Sequence, residues 1–432
     1  MLNKLKFDDL KNRISQENVT CRELLGTLLK WIFLSVIIGV VVGGIAALFA
    51  LALQYVTEFR TAHRMIILGL PVAGLLIVAL YKITGQENNA GTNVVLQVIR
   101  NDENDMPGRI APLIMISSII THLFGGSAGR EGAALQIDAS IGDWFGRIIH
   151  LNESDRKIIT LACMSAAFAA ILGTPMAAAL FPMEVISVGV MYYSALVPCV
   201  FSAFIAEKLS FFLNVRTLTI PYHVTDVPSF YSMASVKAVL VAMLFALAGV
   251  LFCKAMHLTE ELYSKFFKNK YLRIAVGGCV VVILYFIIGG DAYIGLGTDI
   301  IKASFDKPAG IEMFLLKIVF TCLTLCAGYK GGEIVPSFFI GATLGSAIAA
   351  FFGLPLALCT ACGMVGVFCA ATNSPITSFI IAFELFGAEG MPFFCIVIAV
   401  SYLLSGYESL YKEQRIVYSK TENRYINRKS HK

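Results

Sequence analysis

The sequence predicts an all-α polytopic membrane protein built from two related halves of broken helices. Three observations carry that prediction. Of the 432 residues, 57% are hydrophobic and only 15% charged, and the mean hydropathy is +0.75, far from the composition of a soluble domain. Several apolar runs reach or approach the roughly 20 residues that cross a bilayer as a helix. Landmarks of the first half recur in the second, in the same order. A β-barrel would show short alternating segments instead.

The elements follow in chain order. Residues 1–26 are polar and rich in Lys and Arg, and with the next few residues they precede the long apolar run Trp31–Val56. Such a start is not a signal peptide. The last segment, 412–432 (KEQRIVYSKTENRYINRKSHK), is also basic. The positive-inside rule places both ends in the cytoplasm of a multi-pass protein of the cell membrane. The two basic ends read as orientation signals, so no nucleic-acid partner is expected. Further apolar runs are Ile66–Leu80, Lys237–Phe252 and Ala275–Ile288. Between the halves, NVRTLTIPYHVTDVPSFYSM is polar, holds two prolines and reads as a linker. The expected boundaries are a first membrane repeat over 27–214, a linker over 215–233 and a second repeat over 234–411.

The repeat rests on three pairs of segments. GTNVVLQVI (91–99) matches GTDIIKASF (297–305). AGREGAALQIDASIG (128–142) matches GGEIVPSFFIGATLG (331–345). MSAAFAAILGTPMAAALFPMEVI (164–186) matches VGVFCAATNSPITSFIIAFELF (365–386), with Pro175 facing Pro375 and Glu184 facing Glu384. An odd number of crossings in each half would make the halves inverted. Glu184 and Glu384 at matched positions suggest architecture, such as helix capping or pairing.

Many of the other apolar runs are too short or too interrupted to be plain spans. Irregular backbone at membrane depth is tolerated where it is buried in protein or lines a polar cavity. Transporters made of repeats place their ion site where such broken helices meet. The N-terminus of a short helix offers unpaired N–H groups and the positive end of its dipole, which suits an anion, and glycine lets the backbone approach closely. Gly91-Thr92-Asn93, Gly129-Arg130-Glu131-Gly132 and the GGEIVP run with Glu333, Ile334 and Val335 fit that role. Glu131 stands out. An ionised acid at mid-membrane costs roughly 2.5–3.5 kcal/mol or more, so such residues are usually functional. As a carboxylate Glu131 would compete with a bound anion, and protonated it would yield the site. A salt bridge to Arg130 is not expected, because adjacent residues on a helix do not face each other.

Taken together, these motifs resemble the CLC family of chloride channels and proton-coupled anion exchangers. GSAGREGAALQIDASIG is similar to the family's GREGP helix, GGEIVP to its GxFxP motif, and SLY (409–411) to the segment with its central tyrosine; GTNVV stands where the family has GSGIP. The resemblance covers nearly the whole membrane domain. It implies two inverted-topology repeats of broken and tilted helices, and a homodimer with one pathway per subunit. Glu131 would be the gate and proton carrier and Tyr411 the central tyrosine. Halide and protons would be the partners within a lipid bilayer, with no cofactor and no metal. The anion-binding set would be Thr92, Asn93, Gly129, Arg130, Gly132, Ile334, Val335 and Tyr411. The tail after Tyr411 is too short to fold alone.

Departures from the family pattern bear on the substrate. Thr92 and Asn93 occupy the stretch of the central serine, and the family's inner proton-transfer glutamate would fall at Val185. Glu333 enters the GxFxP-like motif. These features are similar to the fluoride-exporting branch, although that branch typically has methionine where Thr92 stands. They favour proton-coupled antiport of fluoride over chloride, with a passive chloride-selective channel as the alternative. Ionised, Glu333 would repel anions; protonated, it would donate to fluoride or shuttle protons. A third reading for Glu333 is an acid stabilised by the dipole of its helix N-terminus.

Enzyme readings find less support. GGSAG matches a nucleophile elbow in letters but lacks the strand–turn–helix setting. An intramembrane serine protease would use Ser127 with His122 or His150. Gly289-Gly290-Asp291 hints at an aspartyl protease but reads as a turn. The eleven cysteines are scattered, and the C-x-x-C of Cys359 and Cys362 sits in an apolar run as packing residues. No HExxH, Walker or dinucleotide motif is present, so transport would draw on existing gradients or be passive.

Overall fold

The computed structural model describes residues 2–87, 91–100, 106–215, 224 and 226–430, with side chains from residue 20 onward. The side chains of most of the basic N-terminal segment, and linker residues 216–223 and 225, lie outside the described residues.

The first half holds eight α-helices among the described residues: α1 (Leu2–Ala62), α2 (Leu70–Ile83), α3 (Thr92–Arg100), α4 (Ile110–Leu123), α5 (Glu131–Ile148), α6 (Glu153–Leu172), α7 (Pro175–Val185) and α8 (Leu196–Phe212). The second repeats the series: α9 (Met233–Phe266), α10 (Lys270–Ile288), α11 (Thr298–Asp306), α12 (Glu312–Ala327), α13 (Ile334–Phe352), α14 (Leu356–Thr372), α15 (Pro375–Phe386) and α16 (Met391–Leu404). The matched motifs open matched helices. GTN and GTD each start a short helix of 9 residues, and GREG and GGEIVP start α5 and α13. Among the described residues, six helical stretches are long and apolar enough to cross a membrane, including Thr20–Ala62, Met233–Phe266 and Lys270–Ile288. Other helices are stable because they are packed inside protein: α6 and α14 are buried along most of their length.

Two reciprocal contacts show the inverted relation of the halves. Gly129 N donates to Gly332 O at 2.6 Å and Gly332 N to Gly129 O at 2.7 Å, an isolated antiparallel bridge between equivalent residues. The second contact joins α7 and α15. Each starts on a proline, which lacks an N–H, so the next two N–H groups need acceptors. Glu384 of α15 accepts from Met176 N and Ala177 N, both at 2.9 Å. Glu184 of α7 accepts from Ile376 N at 2.9 Å and from Thr377 N and Oγ1 at 2.8 and 2.6 Å. Each helix thus ends at the other's beginning, and the capping role expected of these two acids is observed.

Close packing of α13 on α14 depends on glycine. A Cβ on Gly341 would fall 2.2 Å from the Gly363 carbonyl oxygen, and one on Gly363 2.1 Å from the Gly341 carbonyl oxygen. Backbone cannot yield as a side chain can, so Gly341→Val is expected to cost about 3 kcal/mol or more by overpacking. The measurement is the unfolding temperature and the monodisperse fraction of the purified variant. Cys359 and Cys362 are buried on α14, where Cys359 O lies against Gly345.

The tail adds the part of the architecture that is not helical. Strands β2 (Arg415–Tyr418) and β3 (Tyr425–Lys429) pair antiparallel, and β2 pairs in parallel with β1 (Ser187–Val188), just beyond α7. The segment is anchored on the body rather than folded alone. Gln414 donates to the carbonyls of Val185 (2.7 Å) and Thr372 (2.8 Å). Lys420 Nζ reaches Asn373 Oδ1, Tyr402 O and Ser405 Oγ at 2.5–2.9 Å.

Candidate anion site at the junction of the two halves

The site is built around the Gly129–Gly332 bridge. Each helix starts two residues after its bridging glycine, α5 at Glu131 and α13 at Ile334. The intervening residues, Arg130 and Glu333, are the N-caps and adopt nearly the same backbone, φ −113° and −102°. Two helix N-termini from opposite halves therefore meet at a pair of glycines that let the chains approach. Ile334 and Val335, buried in the first turn of α13, supply main-chain N–H groups rather than side-chain chemistry.

Glu131 is fully buried. Its Oε2 accepts from the main-chain N–H of Arg130 at 3.2 Å, so the carboxylate lies over the start of its own helix, the place an anion would take. The side-chain pair excluded on helical grounds is present: Arg130 Nε lies 3.6 Å from Glu131 Oε1. The reason is that Arg130 precedes the helix. Its backbone is not bound by the helical spacing that keeps adjacent side chains apart. Arg130 Nη2 also donates to Ile171 O at 3.1 Å, and Arg130 does not line the cavity described next.

A cavity of about 360 Å³ lies beside the bridge and is lined by Thr92, Asn93, Gln136, Glu333 and Tyr411, among others. Four residues singled out in the sequence therefore share one space. Tyr411 is 2% exposed, yet its hydroxyl has no hydrogen-bond partner among the described residues, and neither does Glu333 Oε2. Tyr411 lies in electrostatic reach of both Glu333 and Glu131. Gly132 adjoins Glu333, since a Cβ there would stand 3.1 Å from Glu333 Oε2. A Cβ on Gly129 would likewise stand 3.2 Å from Glu131 Oε2, so both acids adjoin the bridge, although Glu131 does not line the cavity.

Residues given no role from the sequence hold this space in shape. Gln136, one turn beyond Gly132, donates through Nε2 to Thr92 Oγ1 and to Gly132 O, both at 3.1 Å, tying α3 to α5. Asn93 Oδ1 accepts from Glu413 N at 3.2 Å. Arg100 bonds the Glu413 carbonyl and approaches its carboxylate, and Lys429 Nζ reaches that carboxylate at 2.7 Å. Burial raises the cost of charge on Glu413. Hydrogen bonds from Lys429 and Gln97 and the Lys429 and Arg100 charges outweigh it and hold the carboxyl below the usual carboxylate range. His257 Nε2 faces Ser409 O at 2.8 Å, Ser409 Oγ accepts from Tyr411 N at 3.2 Å, and Lys412 pairs with Glu260 at 2.7 Å. Periodicity carries no sign of the contacts from Asn93, Arg100, His257 and Glu260 to the tail, because each spans more than 150 residues.

The protease geometry is not formed. Ser127 Oγ bonds Thr321 Oγ1 at 3.1 Å, while the two ring nitrogens of His122 face the carbonyls of Ser118 and Ala128. His150 is exposed beyond the far end of α5. Gly289 is a left-handed C-cap and Asp291 is held by Tyr285 Oη at 3.0 Å and Arg64 at 3.2 Å, a turn as expected. Val185 is buried at the end of α7.

Comparison with known proteins agrees with this architecture. The chain is 37% identical over 405 residues to the "Chloride/fluoride channel protein" of Pseudomonas syringae pv. tomato, covering 92% of this chain and 89% of that one. It is 25% identical over 385 residues to the H(+)/Cl(-) exchange transporter ClcA of Vibrio cholerae, covering 82% and 81%. It superposes on the crystal structure of a CLC-type fluoride/proton antiporter with a TM-score of 0.86 and 34% identity, covering 90% of this chain and 98% of that one. The model of the voltage gated chloride channel family matches residues 73–406, and the chain belongs to that family.

Proposed function

We propose that this chain exchanges a halide for protons across the cell membrane, with fluoride preferred to chloride. Glu131 is the gate and proton carrier, and Glu333 acts beside the anion. The observation that carries the reading is the position of the Glu131 carboxylate over its own helix start, next to a cavity with an unpartnered phenol and an unpartnered carboxyl oxygen. Anion and carboxylate compete for the same N–H groups, and protonation removes the competitor. Fluoride is small and strongly hydrated, so it needs strong donors in place of water. The Tyr411 hydroxyl and a protonated Glu333 are two such donors. The printed names of the relatives, a chloride/fluoride channel protein and a fluoride/proton antiporter, support the same substrate class. Basic residues at Lys265, Lys268, Lys270 and Arg273, around the junction of α9 and α10, support a cytoplasmic position for that end of the molecule and for both termini. Two copies form the working unit, each with its own pathway.

The test is efflux from proteoliposomes loaded with fluoride or chloride, with proton uptake recorded together. Fluoride efflux with proton uptake in a constant ratio is expected; chloride flux without protons would instead establish a passive channel. Glu333→Gln is expected to slow fluoride exchange at least about tenfold, the equivalent of one lost charge-assisted hydrogen bond of about 1.5 kcal/mol. Its chloride flux should change less.

A further inference from the structure

Asp138 is a buried acid that the site described above does not use. It is 0% exposed, and neither carboxyl oxygen has a hydrogen-bond partner among the described residues. None of the charged groups on α1, α3, α4, α6 or α13, the helices packed on α5, forms an ion pair with it among those residues. Native structures seldom keep such a group without a use for it, and inside a membrane its cost is high.

Its place on α5 says what the use is. Asp138 lies two turns past Glu131, about 10 Å along the axis, and returns to within about 20° of the same face. That face packs on α6. Cys163 of α6 is in electrostatic contact with Asp138, with Cys199 of α8 beyond it. One turn further, Gly142 leaves the seam thin: a Cβ there would stand 2.9 Å from Thr160 Cα and 3.1 Å from Cys163 Sγ. Thr160, against which Gly142 packs, also lines a cleft of about 10 Å³ with Asp143, Glu153, Arg156 and Lys157. That is room for about one water. Asp143 there is held by Arg147 and by Arg156 at 3.3 Å. Neither Glu131 nor Asp138 lines the cavity of Glu333 and Tyr411; Asp138 lies instead on the α5–α6 seam, beside Cys163.

We propose that Asp138 is a proton station on a route separate from the anion's. The proton leaves the Glu131 carboxylic acid and, through water, reaches the Asp138 carboxylate. Glu131 is left as a carboxylate and Asp138 as an acid, which then releases the proton to water in the cleft at Thr160. The proposal rests on the proton-coupled reading above.

The experiment compares Asp138→Asn, Asp138→Leu and Asp138→Glu with the unaltered protein in proteoliposomes, recording fluoride and proton fluxes together and unfolding temperatures in detergent. Asp138→Asn should keep fluoride flux but carry at least about tenfold fewer protons per fluoride, as expected on removing an acid–base group. Asp138→Glu should restore the ratio. Asp138→Leu should unfold at the same or a higher temperature, since an unpartnered buried acid is replaced by an apolar group. A proton-to-fluoride ratio unchanged in Asp138→Asn would overturn the proposal. So would a lowered unfolding temperature with both fluxes reduced in equal proportion, which marks a structural residue. If the unaltered protein carries no protons, the exchange reading itself fails and this inference with it.

Discussion

Glu131→Gln is expected to go on moving fluoride while carrying at least about a hundredfold fewer protons, the scale of losing a general acid–base group. Glutamine keeps the size and the acceptor oxygen that sits over Arg130 N, but it cannot bind and release a proton. It also lacks the charge that competes with an anion for the helix start, an interaction of roughly 0.3–2 kcal/mol for a partly buried site. Fluoride efflux should therefore lose its dependence on a proton gradient and flatten with pH. Glu131→Ala goes further by emptying the position, and it should leak anions passively. Paired fluoride and pH electrodes on the same vesicles give the readout. A glutamine variant with the parent's proton uptake would remove the gate from Glu131.

Glu184→Ala should give the largest loss of stability of any single side-chain truncation outside the helix crossings. The carboxylate accepts three hydrogen bonds, from Ile376 N, Thr377 N and Thr377 Oγ1. Truncation leaves buried donors without partners, at about 1–3 kcal/mol each; part is recovered by water, so a cost of about 3–5 kcal/mol is expected. Glu184→Gln keeps one acceptor and should fall in between. Glu384→Ala loses two bonds, to Met176 N and Ala177 N, and should cost less. The two caps share the α7–α15 pair, so the double variant should deviate from additivity. Unfolding temperatures of the parent and the four variants in one detergent decide it, and a Glu184→Ala protein as stable as the parent would contradict the cap.

The repeats and their broken helices were legible because glycine or proline stands at or just before the start of each matched helix. GTN, GREG and GGEIVP open helices where their composition requires, and the two matched prolines begin α7 and α15. Thr92, Asn93, Glu333 and Tyr411 line one cavity, whereas Gly129, Arg130, Glu131, Gly132, Ile334 and Val335 do not. The reading failed where it assumed regular helix. Arg130 was treated as helical and is a cap, which is how it reaches Glu131. Gln136 looked like one polar residue on a helix, although it joins Thr92 to Gly132.

Local chemistry sets the apolar spans, the breaks between them and the identity of the acid at the helix start. These depend on transfer free energy and on backbone freedom, both properties of a few neighbouring residues. Which groups face which across the interior is another matter. The glycine bridge, the exchange of caps between α7 and α15, and the tail that holds Asn93 through Glu413 all join residues distant along the chain. They exist because a packed interior surrounded by lipid favours an acceptor for each donor it buries, and that search is completed in three dimensions.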